Sequence, residues 1–183
     1  METGPTDTGA PPRSLLVVAA ALAVALAVVV AVLGLTAGPE DSPGSDGGPL
    51  ALVAVPAPQS DTPHCDRLVE AVPQALESSG ERLQRRELAE PAPPATVAWG
   101  GERPVVLRCG LDRPPELTRT ASLREVNDVR WLPVPGEGTA TWYVVDREVY
   151  VALTVPDGTG TGPLQAVSDT VSATLEPVEP RFD

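Results

Sequence analysis

Residues 15–35 run 21 positions without a charged or strongly polar side chain. As a helix this stretch would rise roughly 31 Å, close to the hydrocarbon thickness of about 30 Å, and a helix satisfies its own backbone in lipid. The pattern predicts a transmembrane helix. A buried helix of a soluble domain would be shorter and would alternate apolar and polar faces. Arg13 precedes the run, whereas Glu40, Asp41 and Asp46 are the first charges after it. The basic flank is therefore expected in the cytoplasm and the C-terminal part outside. A cleaved signal peptide is the rival, but its apolar core would be about 7 to 15 residues long. Its nearest cleavage site, after Leu35-Thr36-Ala37, also begins with a bulky Leu. The run is expected to stay as a signal-anchor.

Beyond it the apolar runs are short. Residues 50–55 are apolar and end at Pro56, which predicts an edge strand. Thr62-Pro63 suits a helix start, and Cys65, Leu68, Val69, Val72 and Leu76 recur at spacings of three and four. This predicts a helix that Pro73 kinks or splits, with Gly80 as its stop. Residues 96–99 and 104–109 read as strands joined through Gly100-Gly101, and 125–132 as a strand bulged at Asn127-Asp128. The clearest hairpin pairs 139–146 with 148–155. In its second arm Val149, Val151, Leu153 and Val155 share one face, and Tyr150, Ala152 and Thr154 the other. A last helix is expected from Pro163, with Leu164, Val167, Val171 and Leu175 on one stripe, ending before Pro177. Helix first, strands in the middle and helix last predicts an α+β fold, mainly an antiparallel sheet with helices on one face.

The expected organisation is a cytoplasmic tail at 1–14, the span at 15–35 and a Gly-, Pro-, Ser- and Asp-rich flexible linker at 36–49. One extracytoplasmic domain follows at 50–177, and a short tail at 178–183.

Composition narrows the partners. The chain has no Lys and no Ile, and all 13 of its basic residues are Arg, a bias that looks like a high-GC genome. Setting aside Glu2, Asp7 and Arg13 leaves 23 acidic and 12 basic residues, a net charge of -11. Such a domain is repelled by nucleic acid and by anionic headgroups, so no nucleic-acid partner is expected.

Cys65 and Cys109 are the only cysteines. On the outer side of a membrane no cytosolic thiol buffer keeps them reduced, so a disulfide is expected. The alternative makes Cys65, beside His64, an activated thiol. Adjacent helix positions face different ways, however, and no second His or C-x-x-C supports it.

Several of these residues occur in a recognisable order. Cys65 and Arg85-Arg86 come first, then Val97-Ala98-Trp99-Gly100 and the run RPVVLRCG ending at Gly110, then Val126-Asn127-Asp128-Val129-Arg130-Trp131, and late Val151 to Pro156. From residue 50 to 177 the chain resembles the actinobacterial membrane proteins grouped as domain of unknown function 3515. Asp128 stands where that pattern often has Gly. The resemblance implies an envelope protein with an N-terminal span at the plasma membrane, and it brings no catalytic residue.

Arg85-Arg86 forms a basic dyad in an acidic domain, and Arg108 points away from the face bearing Leu107 and Cys109. Trp99, Trp131 and Trp142 lie on three separate predicted strands, where they either pack in the core or line a glycan or peptide groove. Arg85, Arg86, Trp99, Arg108 and Trp131 are therefore the candidate binding surface, with Arg and Trp both enriched at hot spots. Asp128, Asp146 and Glu148 suggest a carboxylate-pair hydrolase, but Asp146 and Glu148 also suit the hairpin turn they flank. With one His and two cysteines no metal site is expected, and no phosphate loop or nucleophile elbow occurs. No cofactor is expected. The function this supports is a membrane-anchored, non-catalytic binding or accessory module for an envelope protein or cell-wall component. The alternative is an extracytoplasmic enzyme, thiol-based or a carboxylate hydrolase.

Overall fold

A computed structural model describes residues 48–182. The tail at 1–14, the span at 15–35, most of the linker and residue 183 lie outside the described residues. Among the described residues no helix is long and apolar enough to cross a membrane.

Helix α1, Pro63–Ala71, starts as its sequence predicts, with Pro in the first turn and Thr62 at the N-cap position. The Thr62 hydroxyl turns back, however, and donates to Gln59 O at 2.8 Å. The helix stops earlier than expected. Val72 is extended, because the residue before a proline is driven out of the helical region, and Pro73 has no N–H to continue the ladder. Leu76 therefore belongs to strand β1, Ala75–Ser78, paired with β2, Glu81–Arg86. Ser79 and Gly80 close this hairpin with φ of 49° and 87°, the sign that two-residue hairpin turns require.

Strands β3, Thr96–Trp99, and β4, Val105–Leu111, form the expected pair. The predicted bulged strand is instead a hairpin, β5, Arg124–Val126, against β6, Val129–Pro135. Asn127 and Asp128 are its turn, at φ of 47° and 61°. Strands β7, Thr139–Val144, and β8, Tyr150–Pro156, pair from Thr139 opposite Pro156 to Val144 opposite Val151. Helix α2, Gly162–Thr174, completes the fold. Residues 50–55 are not a strand. Only Leu50 forms a bridge, to Leu88.

The eight strands make one antiparallel sheet in the order β1-β2-β3-β4-β8-β7-β6-β5. The domain is α+β, with both helices on one face. Cys65, Leu68 and Val72 of the α1 segment and Leu164, Val167, Val171 and Leu175 of the α2 segment pack with Val97, Leu107, Val151 and Leu153 of the sheet. The opposite face is buried too. There Leu111, Leu132, Tyr150 and Ala152 pack under Leu117 and Ala57, so both sides of β8 are covered.

Gly110 is required where it stands. Pairing between β4 and β8 shifts register at this residue, which has φ of 84° and whose carbonyl accepts Gln59 N–H at 3.0 Å. A Cβ here would collide with the backbone of Gln59 and Ser60. Gly110→Ala should cost at least about 2 kcal/mol in urea unfolding, from the unfavourable φ and the collision together. A loss below about 1 kcal/mol would mean that the 59–60 backbone moves aside at little cost.

Candidate functional site

The residues singled out from sequence do not form one surface. Successive strand residues point to opposite faces, and β2 separates its two arginines accordingly. Arg85 reaches Val69 O on the helix side at 3.4 Å, whereas Arg86 donates to Gly100 O at 3.0 Å and to Gly48 O at 2.7 Å. Arg108 lies on the face away from the helices, as expected, with Nη2 3.5 Å from Val53 O. Its Nε is buried without a hydrogen bond, and burial holds its pKa below the ordinary arginine range against a smaller pull from Tyr143.

Trp99 and Trp131 are corrected from surface to core, since both are 0% exposed. Their indole N–H groups serve the frame. Trp99 donates to Pro73 O at 2.8 Å and so fixes the break after α1. Trp131 donates to Ser168 Oγ at 2.9 Å, and Ser168 donates to Leu164 O at 2.7 Å, which ties β6 to α2.

Cys65 and Cys109 form a disulfide with Cα atoms 5.5 Å apart, and both are fully buried. In this state Cys65 offers no thiol. The bridge fastens α1 to β4.

The charged centre that sequence reasoning overlooked is Arg147, 2% exposed in the connection between β7 and β8. Its Nη1 lies 2.9 Å from Asp146 Oδ1 and also donates to Asp146 O at 2.9 Å, while Nη2 donates to Asp128 O at 3.0 Å. Asp146 is 6% exposed, and its Oδ2 accepts Arg130 N–H at 3.0 Å. The Oδ1 contact is an ion pair outside hydrogen-bond geometry, so Oδ1 and Arg147 Nε make no hydrogen bond. Burial raises the Asp146 pKa above the usual carboxylate range, and the Arg130 N–H and Arg147 offset part of that rise.

This pair joins three pieces of chain. Val178 N–H donates to Asp146 O at 2.9 Å and Arg147 bridges to Pro177, which seats the C-terminal segment. Asn127 in the β5–β6 turn donates to Asp169 Oδ1 of α2 at 2.6 Å. Between turn and C-terminal segment lies an open groove of about 410 Å³, lined by Glu125, Asp128, Arg130, Asp146, Val178 and Glu179. A second depression of about 270 Å³ shares Glu125, Arg130 and Glu179 and adds Leu123 and Phe182. Arg130 and Glu179 form an exposed ion pair at 3.5 Å. The arrangement gives a firm floor, a mostly acidic rim with one Arg, and an apolar end. It suits ion pairing and hydrogen bonding to a polar cationic segment. Of the three carboxylates considered from sequence, Asp128 and Asp146 line this groove, whereas Glu148 pairs with Arg181 at 3.6 Å on the surface.

The only sequence signal for this centre is the charged pair Asp146-Arg147 between apolar strands, and a turn explains such a pair equally well. A family model described as "Protein of unknown function (DUF3515)" matches residues 21–180. No curated protein and no solved structure matches the chain.

Proposed function

The chain belongs to the DUF3515 family, and from that premise we propose that it is a single-pass membrane-anchored envelope protein whose folded domain is a non-catalytic binding module. The apolar run at 15–35 with its asymmetric flanks supports the anchor, and the buried Cys65–Cys109 bridge suits a domain on the oxidising side. The observation that carries binding is the groove beside Asp146. Its buried charges are committed to the frame, which leaves Glu125, Asp128, Arg130 and Glu179 at the rim. Carboxylates outnumber the single Arg, so the complementary partner is a basic segment of an envelope protein.

A hydrolase reading would use Asp146, whose raised pKa and place in the groove are what a general acid needs. Asp146 is nearly enclosed, though, and both its carboxylate oxygens already face partners in the frame. Binding is favoured for that reason.

A photocrosslinking residue replacing Asp128 in the full chain in cells should capture a partner, and Glu125→Lys with Glu179→Lys should reduce that capture severalfold. Both changes lie at exposed positions, so the Cys65–Cys109 bridge and the circular dichroism spectrum should be unchanged. Undiminished capture by the charge-reversed chain would remove the groove from the function.

A further inference from the structure

The most conspicuous apolar surface is residues 50–56, LALVAVP. Val53 is 82% exposed and Val55 45%, and together with Phe182 they are the exposed large hydrophobic residues among those described. The segment lies within an uncharged run, 47–60, in a domain otherwise dense with acids. It is nevertheless held in place. Arg86 donates to Gly48 O at 2.7 Å, Leu50 exchanges backbone hydrogen bonds with Glu87 and Ala89 at 2.8 and 2.9 Å, and Arg108 approaches Val53 O at 3.5 Å. The carbonyls of Gly48 and Val53 are thus turned towards the domain while the Val53 and Val55 side chains face solvent.

What covers these valines follows from the chain before them. Only residues 36–47 separate the apolar run ending at Leu35 from Gly48, the first described residue. A random coil of that length would have a root-mean-square reach of roughly 20 Å. If 15–35 spans a bilayer, a tether this short keeps residues 50–56 close to its surface.

We infer that residues 50–56 are a lipid-contact strap, whose Val53 and Val55 side chains enter the interface of the bilayer that the chain's own span crosses. This rests on the anchoring proposed above. The attraction is apolar burial, because a chain that carries a net charge of -11 beyond Arg13 is repelled by anionic headgroups. Contact with zwitterionic lipid is therefore insensitive to salt, and anionic lipid weakens it.

The test uses the full chain reconstituted in phosphatidylcholine vesicles, with Val53→Trp or, in a second chain, Val55→Trp. Vesicle co-flotation after alkaline carbonate washing reads the anchor, and quenching by lipids brominated on their acyl chains reads the contact. The expected result is co-flotation with loss of most of the added tryptophan's emission in brominated lipid, while the three native tryptophans set the background. Co-flotation without quenching at either position overturns the strap and leaves the anchor standing. Blue-shifted emission without quenching also overturns it and assigns the patch to a protein contact. A chain that does not co-float overturns both proposals.

Discussion

Replacing Cys65 and Cys109 together by alanine is expected to lower the unfolding free energy by about 4 kcal/mol. The bridge closes a loop of 44 positions, and the chain-entropy model assigns that closure about this much. For a domain of this size the melting temperature should fall on the order of 15 °C, and the loss is a large share of the roughly 5 to 15 kcal/mol by which domains are stable. The loss has a structural address. Helix α1 is nine residues long, and besides Cys65 its segment commits only Leu68 and Val72 as fully buried apolar contacts. Without the bridge α1 should loosen first. Urea unfolding of the oxidised chain, the reduced chain and the double variant measures this directly. A difference below about 1 kcal/mol would mean that the unfolded chain already holds the two segments together.

The second large effect is expected at Arg147. Arg147→Leu should cost about 3 to 5 kcal/mol, because it leaves the Asp146 carboxylate buried with only the Arg130 N–H to stabilise it and frees the Asp128 carbonyl. Asp146→Asn should cost a similar amount by stranding the guanidinium. The two changes combined should cost clearly less than their sum, since removing both charges removes the desolvation penalty along with the attraction. Additive losses in that cycle would show that the two side chains act independently, despite their 2.9 Å contact. Asp146 carries its own pH dependence. Its folded pKa lies above its unfolded one, so the folded state holds the extra proton between the two values. Its contribution to stability is therefore greatest below the unfolded value and declines as pH rises through the folded one.

The parts of the fold legible in the sequence are those where one periodicity acts alone. The second arm of the β7–β8 hairpin alternates over its whole length, and α2 repeats its apolar residues at helical spacing until Pro177. Misreadings arose where two periods coincide. Leu76 stands four residues after Val72, so it continues the stripe of α1, yet it also suits the core face of β1, and only the proline at 73 decides between them. Strand β2, ERLQRR, is half exposed and polar and carries no alternation to read. Asn127-Asp128 shows the expected tolerance for positive φ, but whether that tolerance makes a bulge or a turn depends on which strands pair.

The site was less legible for a related reason. Arg85-Arg86 is a dyad in the sequence and two unrelated contacts in space, because a strand parts its neighbours. Trp99 and Trp131 follow the core preference of tryptophan. Arg147 reads as an exposed turn residue, and its burial requires Asp128 from the neighbouring hairpin and Pro177 from the C-terminal segment. No local pattern encodes that meeting.

The strand order has a consequence in time. It divides the sheet into two meanders, β1 to β4 and β5 to β8, each built from sequence neighbours and joined only where β4 meets β8. Both cysteines belong to the earlier half, and the β3 neighbour of β4 is complete before β5 has been made. A ribosome working from the N-terminus thus delivers both cysteines and the supporting hairpin first. It delivers β8, the strand that covers the other edge of β4, almost last. Until then β4 is an open apolar edge.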